Sequence, residues 1–465
     1  MKNRILEYLD SKLFTYVILV LVSSLGLSSI SIPGIAPFMI VAIVIGLNAL
    51  FFKGGIFTLY LAFVFLDTYS LIWGGDLWTV SLPEETIDLV FTSAARYIGF
   101  ILVILAILQG RFVQKLNLVD AFITLFFFMM LLSPVTAGFS PEQPILMVPR
   151  AIQYYTLYIL TRIIVRSEHD IHRFFQFTLI SFVPVFICIS LQYLSGYFGE
   201  GYDQGHPGVL VQFIPFLLAL SILAKGRRIL FLITISVTMF LATFHGSRRV
   251  LIEMVGYLAL HFRLSILSLF LISIVVVTGP YLYDRIPETT RLRLDSTASN
   301  LIKIKNGDTS DEMLDSLSTG RWSLLRAGLS MWSEAPVFGI GLSNNVEYME
   351  SFGGKIRRAR IHNYYAEVLV DLGIVGFLIL ISLVVVGFRL LKKVENVEFA
   401  RSAFLRVMIK AYKHQFVLLH VVALFGNSMF GAKYVWVTYA LIGSLSSLTL
   451  TQKKAKSKTL VKSRT

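Results

Sequence analysis

Of the 465 residues, 55% are hydrophobic and only 15% charged, and apolar runs of about 17 to 23 residues recur from end to end. That pattern excludes a soluble multidomain protein. The net charge of +14 would suggest nucleic acid in a soluble chain, but here it lies mostly in short loops between apolar runs, where it sets topology.

The expected fold is an all-α polytopic membrane protein. Lys2, Arg4 and Lys12 precede the first apolar run and no small-residue cleavage site follows it, which predicts a retained helix and a cytoplasmic amino terminus. Spans are predicted near 13–30, 35–52, 56–73, 92–109, 118–134, 148–165, 173–195, 208–224, 229–244, 249–261, 265–283, 363–391, 411–427 and 432–449, about fourteen in all. Counting from a cytoplasmic start puts Lys53, Arg111, Lys115, Arg166, Arg173, Lys225, Arg227, Arg228, Arg263, Lys392 and Lys393 inside, with the basic tail. One missed span would invert every later loop, so this agreement tests the whole topology. Cys188 lies in an apolar run and reads as core packing.

Four regions follow: N-terminal membrane helices over 1–283, an outer-face loop subdomain over 284–362, C-terminal membrane helices over 363–449 and a basic cytoplasmic tail over 450–465. The loop, roughly 80 residues long, is too long for a connector and should carry short helices. Its part Asp295 to Leu317 has the composition of a mobile segment. No internal repeat is found, which weighs against an inverted-repeat transporter.

Within that loop, STGRWSLLRAGLSMWSEAP predicts a helix capped by Ser318 or Thr319, with an apolar stripe of Trp322, Leu325, Leu329 and Trp332, ended by Pro336. Arg321 falls in its first turn, where a cation opposes the helix dipole. A bound anion would reverse that, because free backbone N–H groups and the guanidinium would converge on it. The glycines of PVFGIG allow tight turns, and Ser343 or Asn344 can cap a second short helix. Lys355, Arg357, Arg358 and Arg360 form a basic approach suited to lipid headgroups or glycan phosphates. His362 then stands at the start of a span, where the positive helix end favours the neutral imidazole that a general base requires.

FHGSRRVLIEM sets Arg248 and Arg249 at outer helix ends, against the positive-inside bias. Glu253, four residues on, can pair with Arg249 and leave Arg248 for an anion such as a pyrophosphate leaving group. Other ionisable groups near or within spans, among them Arg96, Asp120, Arg150, Arg162, Glu367, Asp371 and Lys433, should pair or line a polar cavity. Arg96 and Arg150 both fall near outer helix ends, and His206 with Gln204 faces outward as a glycan contact. Arg326, Asn363 and Tyr365, in the same motifs as Arg321 and His362, complete the candidate substrate contacts. There is no P-loop, HExxH, CxxC, GxSxG or acidic metal pair in an outer loop, so neither metal nor cofactor is expected.

GSRR after an apolar span, then TGRWSLLRAGLSMWSEAPVFGIG, then HNYYAEVLVDLGIVG, in this order and on the outer face, resembles the O-antigen ligase/polymerase family of bacterial membrane glycosyltransferases. The resemblance implies a GT-C-type fold in the inner membrane whose outer-face site takes a glycan from undecaprenyl pyrophosphate and joins it to a sugar hydroxyl. Carried over by motif, Arg248 and Arg321 would bind the pyrophosphate and His362 would activate or orient the acceptor. Partners would be the lipid-linked donor and acceptor, membrane lipids and a chain-length regulator. The expected activity is a polysaccharide polymerase; a ligase acting on lipid A-core is the alternative within the class, and a polysaccharide flippase the alternative outside it.

Overall fold

The computed structural model describes residues 102–174 and 310–448, apart from 105, 109, 114, 173, 319, 355–359, 396–402 and 425–434, together with the single positions 295, 299, 302 and 306. Most of the predicted N-terminal spans, and Arg96, His206, Arg248 and Arg249, lie outside the described residues. The chain divides into two compact units, Met1–Val113 with Ile159–Leu217 and Gln114–Tyr158 with Leu218–Thr465.

In the first unit, an apolar helix ends at Gly110, whose φ is 66°. Gly110 N–H donates to Ile107 at 2.8 Å and Arg111 N–H to Ala106 at 2.9 Å, the paired bonds that close a helix on a left-handed glycine. Arg166 reaches Phe112 O and Ile163 O with its guanidinium. Asp170 accepts from the backbone of Arg166 and Ser167 and so begins the next helical turn.

The second unit holds the rest of the described elements, all helical: α1 (Leu118–Thr136), α2 (Glu142–Ile164, through Tyr158), α3 (Asp311–Ser318), α4 (Arg321–Glu334), α5 (Asn344–Tyr348), a 3-10 turn (Glu350–Phe352), α6 (Tyr364–Glu395), α7 (Ala403–Val422) and α8 (Val435–Leu448). Two of these, α1 and α6, are long and apolar enough to cross a membrane, and α8 is a shorter apolar helix.

Asn117 starts α1 by accepting from the N–H groups of Val119 and Asp120, while Asp120 accepts from Asn117 N–H in return. Asp120, buried, also takes the Tyr158 hydroxyl at 2.5 Å from α2. An acidic residue inside an apolar helix is thereby fully occupied by structure. Phe127 and Tyr155 stack at 4.1 Å between the same helices.

One long continuous helix was expected from HNYYAEVLVDLG onward. Instead α6 is broken at Gly373, with φ 66° and ψ −170°, a conformation essentially confined to glycine. The part after the break is the longer, and at 1.5 Å per residue the stretch to Glu395 spans about 33 Å, enough to cross the hydrocarbon layer. The shorter part before the break carries Glu367 and Asp371. Near the other end Gly387 lets α7 approach, since a Cβ there would sit 2.7 Å from the Phe416 ring.

Within the segment expected to be mobile, Asp295 to Leu317, the described positions 295, 299 and 302 are helical, and the residues from Asp311 onward form α3. Its acidic residues are the reason, because Asp311 and Asp315 both bond to α4.

Candidate functional site

The first turn of α4 is closed by its neighbours. Ser318 Oγ accepts from Trp322 N–H at 3.0 Å, and Asp315 Oδ1 accepts from Ser323 N–H at 2.8 Å. The position ahead of the helix is Gly320, left-handed at φ 82° and without a side chain to cap. Ser318 was expected as a cap, and its hydroxyl does serve the helix from two residues further out. The expectation of free N–H groups beside Arg321 is corrected: those of Trp322 and Ser323 are taken, and Arg321 itself is exposed at the start of α4.

Trp322 Nε1 donates to Asp311 at 2.8 Å, and Arg326 forms an ion pair with the same carboxylate. The indole bond first, and then the guanidinium, hold the Asp311 carboxyl below its ordinary range. On α4 the fully buried face lies beside the predicted apolar stripe. That face is Leu324, Ala327, Gly328 and Met331, whereas Leu329 is exposed and Leu325 and Trp332 are half-buried. Gly328 and Ala327 are small enough to hide from a hydropathy count, yet they admit Ile361, which would meet a Cβ on Gly328 at 2.6 Å. Leu324, Ala327, Met331, Ile340, Met349, Ile361 and Val370 make one packed cluster. Arg321 stands one turn from Leu324, and His362 directly follows Ile361, so each candidate residue is a chain neighbour of a member of this cluster.

PVFGIG pairs with the break in α6. Ile340 N–H donates to Val370 O at 2.9 Å and Gly341 N–H to Asp371 O at 3.0 Å; in return Ile374 N–H donates to Pro336 O at 2.9 Å and Val375 N–H to Val337 O at 3.3 Å. A broken helix leaves carbonyls on one side and amides on the other without partners. This loop supplies both. Gly339 and Gly341 adopt φ 80° and 107° to do so, and Gly339 N–H bonds back to Ala335 O at 3.0 Å.

Asp371, fully buried, directs its side chain at the start of α5. Oδ2 accepts from Ser343 N–H at 2.9 Å and Oδ1 from the Asn345 side-chain amide at 2.7 Å. Ser343 holds the cap position in a left-handed conformation but makes no side-chain cap bond; the carboxylate of Asp371 does that work from another helix. Asn344 donates to Ile340 O and to Ser140 O, joining the loop after α1 to the same assembly.

His362 is half-buried and, with φ 56°, is one of two left-handed non-glycine residues among the described positions, Ser343 being the other. The reversal turns the chain from the packed Ile361 into α6. Asn363 caps that helix, its Oδ1 accepting from Ala366 N–H at 3.1 Å. Arg360, the described member of the predicted basic approach, pairs at 3.0 Å with the buried Glu367, one turn into α6. Arg150 is half-buried on α2, roughly 12 Å along the helix from its start.

A histidine that sequence reading passed over lies behind Tyr365. His420, buried in the last turn of α7, has Tyr365 Oη 3.0 Å from Nδ1 and Tyr439 Oη 2.9 Å from Nε2. Phe416 packs edge-on to both His420 and Tyr439, and Tyr364 N–H donates to Ala423 O at 2.9 Å, fixing the end of α7 to the start of α6. Inside the apolar text of α7 and α8 neither residue carried a motif; only the long-range pairing with Tyr365 singles them out.

Residues 213–381 match a family model described as O-antigen ligase. The matched stretch contains Arg248, Arg321 and His362, whereas His420 and Tyr439 fall after it. No curated protein gives a significant match to the chain. Over those residues the chain is similar to that family, and α1 and α6 supply helices long and apolar enough to cross a membrane.

Proposed function

From a chain that belongs, by its residues 213–381, to the O-antigen ligase/polymerase family, we propose a polysaccharide polymerase that works on the outer face of the inner membrane. It transfers a glycan from undecaprenyl pyrophosphate to a hydroxyl of a lipid-linked acceptor. The observation that carries this reading is His362: a left-handed histidine at the head of a capped helix, directly after Ile361, which packs in one cluster with Leu324 of the helix that Arg321 begins.

In this reading His362 takes the proton as the acceptor oxygen bonds to the anomeric carbon. The bond from that carbon to the pyrophosphate oxygen breaks, and its electron pair leaves on undecaprenyl pyrophosphate. Arg248 and Arg321 stabilise the added negative charge, each charge-assisted hydrogen bond contributing about 1.5 to 3 kcal/mol. Proton transfer to a positioned base contributes about 10²- to 10⁴-fold. His362 returns its proton to solvent or to the departing phosphate, and no metal takes part. Arg249, Arg96, Arg150, His206, Asn363, Tyr365 and Arg326 are the further substrate contacts proposed. The fold would be GT-C-like with about fourteen spans, both termini being cytoplasmic.

A ligase is the second reading, because the matched family model is described by that activity. Purified protein reconstituted with undecaprenyl-pyrophosphate oligosaccharide alone tests both. A size ladder that disappears in Arg248→Ala and in His362→Ala supports the polymerase. Transfer only after lipid A-core is added makes it a ligase, and no transfer in either case overturns both readings.

A further inference from the structure

The Tyr365, His420 and Tyr439 chain fixes the direction of one proton. Tyr365 Oη lies 3.0 Å from His420 Nδ1 and 3.3 Å from the backbone carbonyl oxygen of His420. Tyr439, fully buried, occupies the other ring nitrogen.

Consider the two neutral forms of the imidazole. With the proton on Nε2, the ring donates to Tyr439, and Tyr365 donates its hydroxyl proton to Nδ1. With the proton on Nδ1, the ring donates to Tyr365, Tyr439 donates to Nε2, and Tyr365 donates to the carbonyl oxygen. Either way the single proton of Tyr365 points inward. What the half-buried phenol offers outward is lone pairs only.

We propose that Tyr365, its hydroxyl proton held inward by His420, is a dedicated hydrogen-bond acceptor that reads a hydroxyl or amide N–H of the substrate sugar, and that His420 is the residue that positions it. A pyrophosphate has oxygen acceptors and, when ionised, no proton to donate, so Tyr365 belongs to the sugar side of the site and not to the pyrophosphate clamp. Tyr365 is three residues beyond His362, which places the two near one end of α6. The inference rests on the glycan-transfer reading for the nature of the ligand. The polarity of Tyr365 comes from the hydrogen-bond chain alone.

The test is binding, so that it is independent of turnover. Two probes are titrated into the full-length protein in nanodiscs: inorganic pyrophosphate, and the oligosaccharide released by mild acid from the lipid-linked glycan of the producing cells. Tyr365→Phe should weaken the oligosaccharide about fivefold or more, as expected for one lost hydrogen bond, and leave pyrophosphate unchanged. At position 420 the shorter amide of asparagine can reach the place of Nδ1, whereas that of glutamine reaches the place of Nε2. His420→Asn should therefore restore oligosaccharide affinity lost in His420→Ala, and His420→Gln should not. Thermal unfolding of each variant separates this from general loss of fold. Equal weakening of both probes, unchanged oligosaccharide affinity in Tyr365→Phe, or equal behaviour of the asparagine and glutamine variants would overturn the proposal. A polymer ladder that fails to form while the binding split holds would reject the polymerase alone.

Discussion

Gly373 and Val337 meet backbone to backbone: a Cβ on Gly373 would overlap the Val337 carbonyl, the same carbonyl that accepts the Val375 amide across the break in α6. The long apolar helix α6 and the loop that carries PVFGIG are therefore one hydrogen-bonded piece. A loop tied only by side chains could swing; one tied by four backbone bonds on both sides of a helix break is held in register. This gives Arg321 and His362 a fixed frame.

Gly373→Ala should be severely damaging, as should Gly339→Ala on the other side of the contact. The former combines overlap with main-chain atoms and a φ of 66°, and should cost at least about 3 kcal/mol. Gly353 is the comparison, because its φ is 86° but nothing lies within reach of an added Cβ; Gly353→Ala should cost only about 1 to 2 kcal/mol. Thermal unfolding in detergent measures both, and equal losses would show that the zipper adds no rigidity.

At His362, backbone and side chain can be tested apart. His362→Gly removes the imidazole with its contacts but relieves the left-handed backbone, so its stability should stay within about 1 kcal/mol of wild type. Glycan transfer should nevertheless fall by about 10²- to 10⁴-fold. Retained transfer in a stable His362→Gly protein would remove His362 from the chemistry.

The pairing of Arg360 with buried Glu367 predicts an asymmetry. Arg360→Ala removes the cation paired with a buried carboxylate and should destabilise by about 1 to 3 kcal/mol. Replacing both residues by methionine should recover most of that loss, since a buried pair exchanged for apolar side chains is often neutral. Denaturant midpoints of the two proteins decide it, and equal values would mean that Glu367 has other adequate support.

Asp311 predicts a pH dependence on the opposite side of α4. Its carboxyl is held below the ordinary range, chiefly by the Trp322 indole and then by Arg326. The contribution is therefore full above the unfolded value of about 3.9 and is lost as pH falls through the lowered folded value. The thermal midpoint of wild type should exceed that of Asp311→Asn near neutral pH, and the gap should close in acid. A gap independent of pH would show that charge on Asp311 is not what joins α3 to α4.

Local signals made legible the elements that carry the candidate residues. Pro336 ends α4 where it should, the glycines of PVFGIG turn the chain, and HNYYAEVLVDLG opens a helix. Other expectations failed for one shared reason. The apolar stripe of α4 was read from its large side chains, whereas Ala327 and Gly328 are buried too, Gly328 because Ile361 needs its room. Ser343 has the chemistry of a cap, yet Asp371, distant in sequence, supplies the bond.

By itself, then, the sequence determined the membrane character, the helical class and the order of the motifs, because apolar run length and turn chemistry act over a few neighbouring residues. It could also pick out Arg321 and His362 as residues whose types suit an anionic, lipid-linked glycan. Only the tertiary structure decided that α6 breaks at Gly373, that the N–H groups beside Arg321 are already taken, and that His420 stands behind Tyr365. Each of these depends on where a partner from a distant segment places its donor or acceptor. Backbone hydrogen bonds across such separations leave no periodicity in the chain; they exist once the helices have packed.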